Sequence, residues 1–233
     1  MNKEDTSILR RSAAEFIGTM FLLAAVVGSG IMAERLSGGS VGLALLANTI
    51  ATGAALVALI FTFGPISGGH FNPAVSICDA VEGGIDIREA VLYVIAQIAG
   101  ALTGVALANS MFELPIFFAS TKVRTGFSQW LAEFVATFGL LSVIWGCSRL
   151  QQKLVTPVAV AAYIMAAYWF TSSTSFANPA VTIARSLSNT FAGIRPLDVP
   201  AFIVAQLAGA FAATLLFRWL APGGPDNVVV PHE

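Results

Sequence analysis

Six long apolar stretches constrain the fold of this chain more than any other feature of its sequence. They alternate with short segments rich in Gly, Pro and charged residues, and their approximate bounds are 10–33, 41–64, 87–111, 127–148, 156–174 and 198–220. A helix that crosses the hydrocarbon core of a bilayer needs about 20 apolar residues. Because lipid offers no hydrogen bonds to the backbone, helices are the favoured form for spans of this length. We therefore expect an all-α integral membrane protein with six transmembrane helices.

The composition excludes several classes of function. Charged residues make up 11% of the chain and hydrophobic residues 56%, whereas a soluble domain carries about 25% charged residues. The net charge of -1 argues against nucleic acid as a partner, because nucleic-acid binding needs a basic surface. The two cysteines, Cys78 and Cys147, lie among apolar residues, which favours buried thiols over a disulfide or metal site. Neither of the two short segments between the spans, 66–84 and 175–195, has a nucleophile–base pair or metal-ligand cluster, so we expect no enzyme, cofactor or metal.

Two further segments, 66–84 and 175–195, are apolar at their start and too short to cross a membrane. Each contains Asn-Pro-Ala-Val, at 72–75 and at 178–181. Asn is a favoured helix N-cap and Pro a favoured first helical residue, so each motif predicts the start of a helix. The expected elements are two re-entrant half-helices that enter the membrane and turn back. The motif residues are Asn72, Pro73, Ala74, Asn178, Pro179 and Ala180.

The two halves of the chain resemble each other. AEFIGTMFLL at 14–23 matches AEFVATFGLL at 132–141, and YVIAQIAGA at 93–101 matches FIVAQLAGA at 202–210. Each half holds three spans, an odd number, so the second half enters the membrane from the opposite side and the halves form an inverted repeat. We place the repeats at about 10–111 and 127–220, within a single membrane domain covering 1–233. Residues 221–233 are interpreted as a disordered tail.

An inverted repeat of this kind brings the N-termini of the two half-helices together near the middle of the membrane. Each N-terminus carries about half a positive charge and unpaired amide donors. Such a site repels cations, protons included, while Asn72 and Asn178 can donate hydrogen bonds to a neutral polar solute. Half-helices at this depth persist where they line a water-filled route.

Several of these segments together resemble the aquaporin and aquaglyceroporin (major intrinsic protein) family. They are ISGGHFNPAVS at 66–76, the second NPAV, the paired AEF segments and the paired AQ-x-AGA segments, and the likeness covers about residues 10–220. It implies a six-helix bundle, a pore in each subunit of a homotetramer, and passive passage of water or small uncharged solutes. It also implies that Glu15 and Glu133 hold backbone groups of the re-entrant loops, with a proton relay as the alternative. His70 is interpreted as a residue that supports the loop.

The resemblance also implies a constriction beyond the second motif, where the family normally has an arginine directly after Asn-Pro-Ala. Here that position is Val181. Spacing from the motifs transfers the other constriction positions to Thr52, Ala166 and Ser175. The expected selectivity ring therefore has no aromatic residue and no charge, and its throat is wide. A slip of the alignment in the fifth span would change Ala166 only.

Arg185 lies one helical turn beyond Val181, so both residues share a helix face. We expect Arg185 either to overhang the outer mouth of the pore or to reach the lipid headgroups from the surface. The segment NPAVTIARSLSNTFAGIRP resembles a bacterial subgroup of the family found with arsenic-resistance genes. Channels of that subgroup carry trivalent arsenic and antimony hydroxides, and methylated arsenicals. This resemblance makes arsenite and antimonite the expected solutes.

Two alternatives remain beside a metalloid channel. One is a general aquaglyceroporin for glycerol, urea and water. The other is a coupled secondary transporter, because inverted repeats and broken helices build transporters too. A transporter needs ionisable groups at mid-membrane, and from the sequence only Glu15 and Glu133 qualify.

The distribution of Lys and Arg predicts the orientation in the lipid bilayer. With the N-terminus inside, seven basic residues are cytoplasmic and five are external. The cytoplasmic seven are Lys3, Arg10, Arg11, Arg88, Arg149, Lys153 and Arg218. The external five are Arg35, Lys122, Arg124, Arg185 and Arg195. We therefore predict a multi-pass protein of a bacterial cytoplasmic (inner) membrane, with both termini in the cytoplasm.

Overall fold

The computed structural model describes residues 7–149 and 155–222, and within these ranges it is helical and contains no strand. The helices are α1 (Ile8–Leu36), α2 (Val41–Ser67), α3 (Pro73–Glu82), α4 (Ile87–Met111), α5 (Phe127–Arg149), α6 (Thr156–Phe170), α7 (Pro179–Arg185) and α8 (Val199–Leu220). The all-α expectation is confirmed. Lys3, Lys153 and most of the predicted tail, from residue 223 onward, lie outside the described residues.

The six predicted spans correspond to α1, α2, α4, α5, α6 and α8. All of them except α6 are long and apolar enough to cross a membrane by length and composition. Helix α6 has 15 residues, and its predicted end at residue 174 is wrong. The helix ends because the backbone turns extended at Thr171, with φ -107° and ψ 138°. The polar residues that follow form a connection rather than a last helical turn.

The two halves pack with the same pattern of neighbours. In the first half α1 packs on α2 and α4, and α3 packs on α4; in the second half α5 packs on α6 and α8, and α7 packs on α8. Across the halves, α2 meets α6, α3 meets α8 and α4 meets α7. Each half-helix therefore lies between a long helix of its own half and one of the other half. This is the arrangement expected of an inverted repeat.

A matched glycine in each half allows a close helix contact. A Cβ added at Gly100 would lie 2.3 Å from the backbone oxygen of Phe16, and one added at Gly209 would lie 2.3 Å from that of Phe134. Real Cβ atoms do not approach this closely, so both positions require glycine. Small residues let membrane helices approach until their backbones touch. The repeated AQ-x-AGA segments thus fix α4 against α1 and α8 against α5.

Large apolar side chains cover much of the outward surface of the long helices. Examples are Phe21 on α1, Ile95 on α4, and Leu215 and Trp219 on α8, all of them exposed. An exposed apolar surface of this extent is typical of a protein that faces lipid or other subunits. The bundle also buries polar side chains, among them Glu15, Asn72, Glu133 and Asn178.

Candidate functional site

The two Asn-Pro-Ala motifs cap the two half-helices as the sequence predicts. The Asn72 Oδ1 accepts a hydrogen bond from Ala74 N at 3.0 Å, and the Asn178 Oδ1 accepts one from Ala180 N at 2.9 Å. Both asparagines have extended backbone, and a proline follows each as the first helical residue. Each cap satisfies an amide that would otherwise lack a partner at the helix start.

The two motifs are also bonded to each other. The Asn72 Nδ2 donates to Ala177 O at 2.8 Å, and the Asn178 Nδ2 donates to Phe71 O at 2.7 Å. Each asparagine side chain thus holds the loop that leads into the opposite half-helix. A side-chain amide has two N–H donors, so each asparagine keeps a second donor beyond this reciprocal contact.

Glu15 on α1 holds the loop before α3. Its carboxylate accepts four hydrogen bonds, from Ser67 Oγ at 2.6 Å, His70 N at 3.0 Å, Phe71 N at 2.7 Å and Gln97 Nε2 at 2.8 Å. Phe71 has a positive φ of 47°, a backbone conformation that costs free energy for a non-glycine residue. The carboxylate stabilises that strained turn.

Glu133 on α5 occupies the matching position before α7. Its carboxylate accepts from Phe176 N and Ala177 N, both at 2.9 Å, and from Gln206 Nε2 at 2.6 Å. Ser175 and Ala177 have positive φ values of 48° and 49°. In both halves the donors include two backbone amides and one glutamine amide. Each carboxylate therefore acts as a hydrogen-bond acceptor that holds the backbone of its loop in place.

His70 lies on the cavity side of the first loop. Its Nδ1 lies 3.0 Å from Ser76 Oγ, its Nε2 lies 3.6 Å from Asp79 Oδ2, and its ring meets Tyr93 edge to face at 5.4 Å. Asp79 is buried on α3, and it is not among the buried carboxylates expected from the sequence, which were Glu15 and Glu133. Its position seven residues after Asn72, within the half-helix, is the signal that could have found it.

A central cavity runs between the two half-helices and is lined by residues of both halves. In the first half the lining residues are Leu22, Val26, Thr52, Leu56, Ile60, Gly69, His70, Phe71, Asn72 and Val75. In the second half they are Leu140, Ile144, Val160, Ile164, Tyr168, Ser175, Phe176, Ala177, Asn178, Val181 and Arg185. We call the end of this cavity near His70 the His70 half and the end near Arg185 the Arg185 half. No Asp or Glu is among these lining residues.

Three of the four residues of the expected ring line this cavity: Thr52, Ser175 and Val181. The fourth expectation, Ala166, is wrong, because this residue is exposed on the outside of α6. Ile164 and Tyr168 line the cavity instead. They are four residues apart and share a helix face, whereas Ala166 lies about 200° around the helix from each.

Tyr168 brings an aromatic residue into the wall. The hydroxyl of Tyr168 lies 3.3 Å from Thr52 Oγ1, a hydrogen bond that joins α6 to α2. The expectation of a ring without an aromatic residue is therefore wrong. The Ser175 hydroxyl lines the same cavity, and its Oγ is buried without a hydrogen-bond partner among the described residues.

Arg185 also lines the cavity, so this region carries a charge beside the expected ring, which itself has none. The residue is 2% exposed, which excludes the surface position among lipid headgroups. Its Nε donates to Ala192 O, and its guanidinium carbon lies 3.4 Å from the centroid of the Phe176 ring. A cation this close to an aromatic face is attracted by it.

Arg124 and Lys122, from the connection between α4 and α5, place more positive charge near the Arg185 half. The Arg124 Nε donates to Gly193 O and its Nη1 to Ser173 O, both at 2.8 Å, and its guanidinium carbon lies 4.9 Å from the Phe176 centroid. Burial lowers the pKa of Arg124 to about 10. Burial and then the neighbouring Arg124 and Arg185 lower the pKa of Lys122 to about 8.

Candidate metal ligands and thiols are dispersed in the part of the chain that the structure describes. That part contains no group of three or more His, Cys, Asp or Glu side chains arranged to hold a metal ion. Cys78 is a buried free thiol and Cys147 a partly buried one. Neither lines the central cavity.

Comparison with known proteins adds three findings. The model of the family described as "Major intrinsic protein" matches residues 2–172 and 123–230. An "Aquaglyceroporin AqpS" from Rhizobium meliloti is 56% identical over 217 residues, covering 93% of this chain and 92% of that protein. A "Probable aquaporin TIP2-2" from rice, Oryza sativa subsp. japonica, is 28% identical over 231 residues, covering 97% of this chain and 92% of that protein.

Among solved structures, the aquaglyceroporin from Plasmodium falciparum has a similar fold. The two share a TM-score of 0.69 at 18% sequence identity, over 91% of this chain and 96% of that one. At this identity the likeness concerns the fold alone. It agrees with the helix order and the packing of the two halves described above.

Proposed function

This chain belongs to the major intrinsic protein family, and from that premise we propose which solutes its channel carries. They are trivalent metalloid hydroxides such as arsenous and antimonous acid. Members of the family are passive channels for small solutes and not enzymes. The observation that carries the proposal is Val181 in the cavity wall, at the position where the resemblance implies an arginine.

The wall of the Arg185 half suits a hydroxylated solute larger than water. Val181 and Thr52 are short side chains, and the one bulky group of the corrected ring, Tyr168, is turned to Thr52 by their hydrogen bond. Arsenous acid is an uncharged polyol-like molecule at physiological pH. Hydroxyls of the wall and the second amide donor of each asparagine can replace part of its hydration, which supports passage of such a solute. The same features support methylated arsenicals as further solutes.

Charge along the cavity supports strong discrimination against cations. The lining residues include the Arg185 guanidinium and no carboxylate. A unit charge about 4 Å from a permeating ion is worth roughly 4 kcal/mol at an effective dielectric near 20. The two half-helix N-termini add partial positive charge at the Asn caps. Cation exclusion therefore does not depend on an arginine at position 181.

A coupled transporter is the less favoured alternative. The carboxylates of Glu15 and Glu133 accept hydrogen bonds from fixed backbone amides. Because these bonds need the ionised form as acceptor, they disfavour a proton-relay role. Asp79 is another buried carboxylate; it lies beside His70, outside the residues that line the cavity. These contacts favour structural support of the loops by Glu15, Glu133 and His70.

A general aquaglyceroporin for glycerol, urea and water remains the second candidate. It is favoured by the similarity to the Rhizobium meliloti protein, which is named an aquaglyceroporin. The two candidates share the same cavity and differ only in which solute passes best, so they are separated by relative flux.

We also propose a homotetramer in a bacterial cytoplasmic membrane, with both termini in the cytoplasm. The extensive exposed apolar surface of the long helices supports burial against lipid and neighbouring subunits. Cross-linking of the purified protein tests the tetramer. Labelling of single cysteines introduced at Ser37 or at Gly83, in intact cells and in lysed cells, tests the orientation, because α1 and α3 end on opposite sides in this arrangement.

Reconstitution in liposomes tests the proposed function. Stopped-flow light scattering measures water and glycerol permeability, and uptake assays measure arsenous acid, each against empty liposomes. We expect uptake of arsenous acid that follows its own gradient and is unchanged when a proton gradient is imposed or dissipated. Uptake that requires a proton gradient contradicts the channel, and glycerol passage without arsenous acid passage contradicts the metalloid assignment.

A further inference from the structure

Two buried polar groups in the Arg185 half lack a hydrogen-bond partner among the described residues. They are the Nη1 of Arg185 and the Oγ of Ser175, and both residues line the central cavity. Buried polar groups in folded proteins are nearly always paired, so an unpaired one requires an explanation. Two such groups on the wall of one cavity indicate that something other than this chain completes their hydrogen bonds.

The guanidinium of Arg185 is held in place by contacts that leave its terminal nitrogens unused. Its Nε donates to Ala192 O, and its flat face stacks on Phe176 at 3.4 Å. The described residues give it no ion pair. The carboxylate of Glu133, on the neighbouring α5, is occupied by Phe176 N, Ala177 N and Gln206 Nε2. The side chain is therefore a fixed cation whose remaining N–H donors have no acceptor in the protein.

The rest of this part of the wall does not compete for these groups. Val181 and Ile164 line it with apolar surface. The hydroxyls of Thr52 and Tyr168 are bonded to each other. A solute in this half therefore meets unsatisfied polar groups at Ser175 and Arg185 and mainly apolar or self-paired groups elsewhere.

We propose that Ser175 and Arg185 together form a binding subsite for the oxygen atoms of a small hydroxylated solute. Arg185 donates a charge-assisted hydrogen bond to one solute oxygen, and the Ser175 hydroxyl bonds a second oxygen of the same molecule. The ligand class is an uncharged molecule with at least two hydroxyl groups. The subsite rests on the proposed function, because it gives that channel a point at which polyol-like solutes bind more tightly than water.

Saturation of uptake tests the subsite in liposomes that contain the full chain. The half-saturating concentration of arsenous acid is measured for Ser175→Ala, Arg185→Met and Arg185→Lys. Losing a neutral hydrogen bond weakens binding by about three- to tenfold, and losing one from a charged donor by about ten- to a hundredfold. We expect rises of those sizes in Ser175→Ala and Arg185→Met. Arg185→Lys should fall between wild type and Arg185→Met, because lysine keeps the charge and loses the planar fork.

Matched controls come from the same region. Ser172 donates to Ser128 O and Arg195 pairs with Asp198, and neither residue lines the cavity, so Ser172→Ala and Arg195→Met should leave the half-saturating concentration unchanged. Water permeability of each variant reports that the pore has folded. Where Arg185→Met loses water permeability, Ser175→Ala decides the result, because it removes a single oxygen atom. Wild-type values in Ser175→Ala and Arg185→Lys with normal water permeability overturn the subsite.

A binding measurement separates failure of the subsite from failure of the proposed function. Arsenous acid should raise the thermal unfolding temperature of the wild-type protein in detergent, and Ser175→Ala should lose most of that rise while Ser172→Ala keeps it. All variants retain both cysteines, so thiol binding affects them equally. Absence of uptake with stabilisation that depends on Ser175 contradicts the channel assignment alone. Equal stabilisation of wild type and Ser175→Ala overturns the subsite whatever the flux.

Discussion

The two half-helices share one supporting framework and differ in the residues beside it. In each half a buried glutamate holds the loop, and a glutamine connects it to the half-helix. The first half uses Glu15 with Gln97 and Ser76, and the second uses Glu133 with Gln206 and Thr182. This duplication explains why both motifs end in the same geometry at the reciprocal Asn72 and Asn178 contacts.

The difference appears two residues before and seven residues after each asparagine. The first half has His70 and Asp79 at these positions, and the second has Phe176 and Arg185. In both halves the two residues contact each other, as a His–carboxylate pair 3.6 Å apart in the first half and as a cation over an aromatic ring in the second. The same backbone thus carries a histidine–carboxylate pair near one end of the cavity and a guanidinium group near the other. A duplicated fold fixes the meeting of the helices, and unduplicated side chains give each end its own chemistry.

Removing the glutamates tests whether the framework is equivalent in the two halves. In the wild-type protein, the carboxylates of Glu15 and Glu133 accept hydrogen bonds from backbone N–H groups. Glu15→Gln and Glu133→Gln each place an amide donor against these backbone donors. An unsatisfied buried donor costs about 1–3 kcal/mol, so we expect large losses of thermal stability and of water permeability. The loss should be greater at Glu15, which accepts four hydrogen bonds, than at Glu133, which accepts three. Unfolding in detergent measures it, with the exposed Glu113→Gln as the control; a stability of either variant equal to the control would contradict the framework.

Enlarging the two interfacial glycines is a milder test of the same equivalence. In Gly100→Ala and Gly209→Ala the new Cβ meets a backbone oxygen at 2.3 Å, and overpacking costs about 1–3 kcal/mol. We expect equal drops in unfolding temperature for the two variants. Gly42→Ala is the control, because nothing lies within 4 Å of a Cβ added there. A drop confined to one variant would show that the halves do not pack alike.

Val181→Arg changes the residue of the second half on which the proposed passage of metalloid hydroxides depends. The longer side chain should narrow the Arg185 half. We expect the flux of arsenous acid and glycerol to fall about tenfold more than the flux of water, which is the size of effect that a small change in pocket volume has on substrate discrimination. Val181→Leu adds volume without charge and should have a smaller effect. Parallel water and solute assays give the ratio. An unchanged solute-to-water ratio in Val181→Arg would contradict a place for Val181 in the narrow part of the cavity.

The smallest effect is expected from Lys122, a group near the Arg185 half only. Because burial and its cationic neighbours lower its pKa to about 8, Lys122 loses its proton between about pH 7 and 9. The charged form is the disfavoured one in the folded protein, so stability should rise slightly as the pH passes through this range. Thermal unfolding measured from pH 7 to 9 should show the slope, and Lys122→Met should lack it. A slope of equal size in Lys122→Met would assign it to another group.

The pattern of the sequence predicts much of the framework because that pattern is local. The caps at Asn72 and Asn178 follow from hydrogen bonding within three residues. The spans follow from apolar length, and the paired half-helices follow from the inverted repeat. Val181 could be placed in the cavity because it directly follows the second motif on the same short helix. The caps and the spans thus depend on a few adjacent residues and on the lipid environment, whereas the pairing depends on the three spans in each half.

Only the tertiary structure decided which side chains meet in the wall. Counting back from Asn178 to α6 crosses a connection with positive φ at Thr174, Ser175 and Ala177, whose path no periodic rule gives. Counting residues therefore predicted Ala166, whereas α6 directs Tyr168 to the cavity. The position of Arg185 against Phe176 likewise depends on how a loop folds back over α7. The physical reason is that helix phase and caps are properties of neighbouring residues, whereas the charge of a cavity depends on segments far apart in the chain.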